Sequence, residues 1–231
     1  AGFIVDTFSY FGLFISSIVV CLLLFLCALY CDDISYSEKM DFKQFLKIFK
    51  NKEYMYMVLI YVLIYIVGMA DQYVVIDKML KLKANGFMIG VKWAIQSLME
   101  IPFFLFANTL LKKYRAETLL KFAIVMYGIK FMLYGWANSV VFILLASILQ
   151  IVTLPIVAYT SKLILANIMP SIKASSQMIA MAFFFGGSAF ITPLVTALMI
   201  PKLGFDYTLY AFAIFTCIPL LLLLCKKHIL H

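Results

Sequence analysis

The sequence predicts an all-α protein, a polytopic bundle of helices that cross a membrane. Three observations predict it. Of 231 residues, 65% are hydrophobic and 13% charged, against about 45–50% and about 25% in a soluble domain. Apolar stretches of the roughly 20 residues needed to cross a bilayer core about 30 Å thick recur along nearly the whole chain. Those stretches are continuous, whereas a β-barrel shows alternating segments of about 10 residues. The mean hydropathy of +1.05 agrees. The net charge of +8 is no nucleic-acid footprint, because the lysines sit between apolar stretches.

Seven spans follow in order: Thr7–Tyr30, Tyr54–Ile76, Phe87–Leu111, Leu119–Trp136, Val140–Leu165, Gln177–Ile200 and Tyr207–Leu224. The first lacks a basic leader and a small-residue cleavage site, so it does not read as a signal peptide. The chain begins at Ala1 without a methionine, which suggests a fragment. Between spans one and two, Cys31–Glu53 mixes Asp32, Asp33, Glu38 and Asp41 with five lysines. Its Phe42, Phe45, Leu46 and Phe49 repeat at helical spacing, which suits an amphipathic interfacial helix or a solvated linker. Eleven lysines and arginines fall in the loops and tail on one side of the membrane and four on the other. The positive-inside rule makes the richer side cytoplasmic and places the C-terminus inside.

Residue types narrow the chemistry. Cys21, Cys27, Cys31, Cys217 and Cys225 show no CxxC spacing, and His228 and His231 are both C-terminal. A zinc site, a disulfide framework or a histidine-based triad is not expected, and neither is a cofactor or an enzyme active site. Ionisable groups inside spans are the functional candidates. Lys92, Lys121 and Lys162 lie near span ends and are expected to snorkel. Asp77 and Lys78 read as an outer boundary pair. Asp71 lies about 8 Å and Lys130 about 9 Å from the outer end of their spans, and Glu100 about 20 Å deep. Lys130 is the expected basic partner, with Asp71 and Glu100 both open as its carboxylate. Gln150 and Thr153 precede Pro155, and Gln96 and Asn108 flank Glu100. Such groups suit a hydroxyl-rich solute and also serve as interhelical glue. Pro102, Pro155, Pro193 and Pro219 free backbone carbonyls within spans. Gly186, Gly187 and Ser188, with Ala189, make a small-residue patch for close helix packing.

Several of these residues carry a resemblance. Asp71-Gln72-Tyr73 resembles the Asp-Gln-Gln of helix seven in the major facilitator superfamily, in the oligosaccharide and nucleoside proton symporter branch that includes lactose permease. Glu100-Ile101-Pro102 resembles a Glu-x-Pro of a neighbouring branch, and Lys130 falls where helix nine carries an arginine. Leu149–Pro155 aligns without gaps with the helix-ten segment Leu-His-x-Phe-Glu-Val-Pro, with Gln150 at the histidine and Thr153 at the glutamate. The resemblance implies helices six to twelve of a twelve-helix fold. Residues 1–30 would be the last helix of an N-terminal bundle, 31–53 the central cytoplasmic loop, and 54–231 the C-terminal bundle. It implies a proton-coupled importer of a small polar solute, sugar or nucleoside in type, in the cell membrane. Glu100, Lys130 and Asp71 would carry coupling, and Gln150, Thr153, Gln96 and Asn108 would meet substrate. Gly186, Gly187 and Ser188 would pack on the missing N-terminal bundle. The partners would then be lipid, the solute and H⁺, with no nucleic acid and no metal. An efflux carrier for amphipathic compounds is the alternative within the class, and a seven-span receptor the alternative outside it.

Overall fold

The computed structural model describes residues 2–30 and 48–229, and among these every regular element is a helix. Helix α1 is Gly2–Leu29, α2 Lys52–Lys81, α3 Gly86–Lys113 and α4 Ala116–Trp136. The next run starts as α5, Val140–Ala146, tightens to a 3₁₀ segment, Ser147–Val152, and resumes as α6, Leu154–Ile168. The last begins as α7, Lys173–Met181, widens to a π segment, Ala182–Gly187, and continues through α8, Ser188–Phe215, and α9, Cys217–Ile229. Five segments are long and apolar enough to cross a membrane: 11–29, 52–81, 86–113, 140–168 and 173–226. The fifth is 54 residues long and doubles back on itself, and α4 runs beside it. Most of the interfacial segment expected within Cys31–Glu53 lies outside the described residues.

Local chemistry sets the helix ends. Asn51 and Asn85 each accept a hydrogen bond at 3.0 Å from the third backbone amide onward, Tyr54 and Met88, satisfying an amide that a helix start leaves unpaired. Ser139 does the same for Phe142 at the start of α5. Pro155 has no amide to bond the carbonyl four residues back, and its ring crowds that carbonyl. The chain breaks there, with Thr153 at φ −111°, ψ −93°, and the turn before it narrows to 3₁₀. Gly204, at φ 76°, ψ 175°, is the point where the last run reverses. This is backbone that only glycine occupies at ease.

The reversal can be followed residue by residue against α2. Ser176 accepts from the Tyr54 hydroxyl at 2.6 Å. Phe184 stacks on Tyr65, and Thr192 donates to the Ile66 carbonyl at 3.1 Å. Asp206 reaches Lys78 near the far end of α2. The chain then returns, so that Leu222 accepts from Tyr56 and Lys226 pairs with Glu53. Helix α2 is consequently the most enclosed of the long helices, while α1 packs on α3 and keeps most of its described side chains exposed. Where α4 meets the returning arm the approach is close: a β-carbon on Gly135 would run into the Tyr210 ring.

Candidate functional site

Four segments bring polar side chains to one place. Helix α2 supplies Asp71. Helix α3 supplies Lys92, Gln96 and Glu100, four residues apart and so on one face. Helix α4 supplies Lys130 and Tyr134 at the same spacing. The broken helix supplies Ser147, Gln150 and Thr153, three residues apart. A 3₁₀ turn holds three residues, so these three stand in a row. An unbroken α-helix would fan them round its axis.

The contacts run in a chain. Lys92 Nζ lies 2.9 Å from Asp71 Oδ1, and Lys130 Nζ lies 2.9 Å from Asp71 Oδ2. Gln96 Nε2 donates to Asp71 Oδ2 at 2.6 Å. Lys130 Nζ also donates to Gln150 Oε1 at 2.7 Å, and Gln150 Nε2 donates to Glu100 Oε1 at 2.8 Å. Thr153 donates to Gln150 Oε1 at 3.3 Å, and Tyr134 Oη is 2.9 Å from Ser147 Oγ. Both lysines are fully buried. The rings of Tyr134 and Trp93 lie within cation–π range of Lys130 and Lys92 respectively.

The electrostatics follow from this count. Two ammonium groups share one carboxylate, and the second carboxylate is reached through the Gln150 amide. The cluster is neutral while Glu100 is ionised and carries a surplus positive charge when Glu100 is protonated. Glu100 is the partly exposed member, at the end of the chain of contacts. Burying an unbalanced charge is costly, so the two ammonium groups depend on both carboxylates for their balance.

Most predicted site residues meet here: Asp71, Glu100, Lys130, Gln96, Gln150 and Thr153. The two open pairings of Lys130 both occur, Asp71 directly and Glu100 through Gln150. Asn108 stands apart, about 12 Å further along α3, where it accepts from the Tyr159 hydroxyl at 3.1 Å. Ser188 is buried with its hydroxyl turned back to Phe184, and a β-carbon on Gly186 or Gly187 would meet nothing within 4 Å among the described residues.

Two expectations are corrected. Lys92 does not snorkel, because Asp71, Gln96 and Trp93 enclose its ammonium inside the bundle. Lys78 does not form a boundary pair with Asp77. It is buried, donates to the carbonyls of Tyr134 and Gly135 at 2.7 and 2.8 Å, and pairs with Asp206 at 2.7 Å. Tyr134 was not singled out from the sequence. The 92-96-100 spacing is the signal that would have found Lys92, since it shares the stripe of Gln96 and Glu100.

Long apolar helices enclosing a charged, hydrogen-bonded cluster define a multi-pass membrane protein with an internal polar site. The profile described as the MFS_1 like family matches residues 1–212, and the chain belongs to that family. No curated protein matches it. Membership places it with the transporters of the major facilitator superfamily rather than with enzymes.

Proposed function

We propose that this chain is the C-terminal portion, helices six to twelve, of a proton-coupled importer for a small polar solute of sugar or nucleoside type. It works by alternating access in the cell membrane, with the C-terminus cytoplasmic. The observation that carries the reading is the unbroken path from Lys92 through Asp71, Lys130 and Gln150 to Glu100. Protonation of Glu100 weakens its hold on the Gln150 amide and upsets the charge balance that keeps Lys130 in place. Gln150, Thr153 and Gln96 are then released to hydrogen-bond substrate hydroxyls. Broken helices beside such groups suit a site at the bilayer midplane between two bundles. The open face at Gly186 and Gly187 suits close packing of the N-terminal bundle.

The test uses the complete protein in vesicles with labelled sugars and nucleosides. Glu100→Gln is expected to abolish uphill accumulation and to spare exchange. Unchanged uphill uptake would remove Glu100 from coupling.

A further inference from the structure

A cavity of about 620 Å³ opens on α3, α4 and the broken helix, away from the polar cluster. Phe103, Phe106 and Leu110 of α3, Leu119 and Phe122 of α4, and Ile156 of α6 line it. Phe106 and Phe122 are exposed in it. The cavity runs along α3 from Pro102 to Leu110, about 12 Å. That is close to the thickness of one leaflet, half of a core about 30 Å thick. Its deep end is wholly apolar, while Tyr114 and Thr118 stand at its mouth. The mouth borders the turn between α3 and α4, which carries Lys112, Lys113 and Arg115. The nearby acid, Glu117, pairs with Lys226 at 3.1 Å and also acts on Arg115, so the three basic groups outnumber it at this mouth.

We propose that this groove is a binding site for an anionic phospholipid. One acyl chain lies along the phenylalanine-lined wall, and the headgroup phosphate sits among Lys112, Lys113 and Arg115. Any lipid tail would wet an apolar wall. The basic mouth at one end, one leaflet-depth from the closed end, selects a negatively charged headgroup. Lysine or arginine near an anionic lipid surface strengthens binding by about fivefold per side chain.

The proposal is tested on the full chain in phosphatidylcholine bilayers with Phe106→Trp as a reporter. Quenching by brominated phosphatidylglycerol is compared with quenching by brominated phosphatidylcholine. The expected result is quenching by the anionic lipid at a several-fold lower mole fraction. That preference falls with each of Lys112→Gln, Lys113→Gln and Arg115→Gln and is lost when all three are replaced. The native Trp93 and Trp136, read in the unsubstituted chain, are expected to show no such preference. Equal quenching by the two lipids overturns the proposal, as does a preference that survives the triple replacement. Native mass spectrometry of the chain with Phe106 intact gives a second reading. Retained phosphatidylglycerol lost in the triple variant supports the site, and equal retention overturns it.

Discussion

At the scale of single residues, Asp71 is the pivot of the polar cluster. It meets two buried ammonium groups and the Gln96 amide at once. Removing one partner of a buried ion pair leaves an uncompensated charge, at a cost of about 3–5 kcal/mol. Asp71→Asn is therefore expected to lower thermal stability in detergent by that order, and adding Lys92→Met should recover part of the loss. An unchanged unfolding midpoint in Asp71→Asn would mean that the two ammonium groups are not charged there. Lys92 also shows how residue-scale reading fails. Its distance from the start of α3 allowed a route to water, and only the packing of α2 and α4 closes that route. Asp71, Lys130 and Glu100 were legible because an ionisable group in an apolar run is costly wherever its partners turn out to be.

At the scale of elements, the breaks matter more than the helices. Pro155 makes a break legible, but not that the turn before it tightens to 3₁₀ and lines Ser147, Gln150 and Thr153 in a row. Gly204 permits the reversal that returns α9 alongside α2. Its φ and ψ belong to a region that costs other residues about 1–3 kcal/mol. Gly204→Ala should lower the unfolding midpoint accordingly, since the site has room and the strain is purely backbone. A midpoint equal to that of the unsubstituted chain would mean that the turn relaxes freely. Each of the seven predicted spans falls on helix, but five segments of the described residues are long and apolar enough to cross a membrane, and the last two predicted spans share one run that bends at Gly204. The C-terminal end of α2 runs past the predicted span, and Lys78 there is held inside the bundle by Asp206 and two carbonyls.

At the scale of the whole molecule, charged clusters tie the two ends of the bundle. Lys78 with Asp206 closes one end, and Lys226 joins Glu53 and Glu117 at the other. Burial works to raise the Glu117 carboxyl, but the hydrogen bond and charge of Lys226 outweigh it and hold the carboxyl below its ordinary 4.5. A lowered acid stabilises the fold above its unfolded pKa. The contribution is thus complete above about pH 4.5 and lost as pH falls through the lowered value. Lys226→Gln should flatten that acid limb in thermal unfolding; a limb of unchanged steepness would assign it to other carboxylates.

The sequence by itself determined the class: a chain this apolar, with spans of bilayer length, satisfies its backbone groups in lipid only as helices. It also singled out Asp71, Glu100 and Lys130, since burial penalises charge regardless of neighbours, but not Lys92 or Lys78. The partners were decided by tertiary structure alone. Asp71 and Lys130 are 59 residues apart and Glu100 and Gln150 are 50 apart, and they meet only because separate helices pack at matching depth. Depth along one helix is local and can be counted from sequence, whereas the facing of one helix toward another depends on how all of them pack.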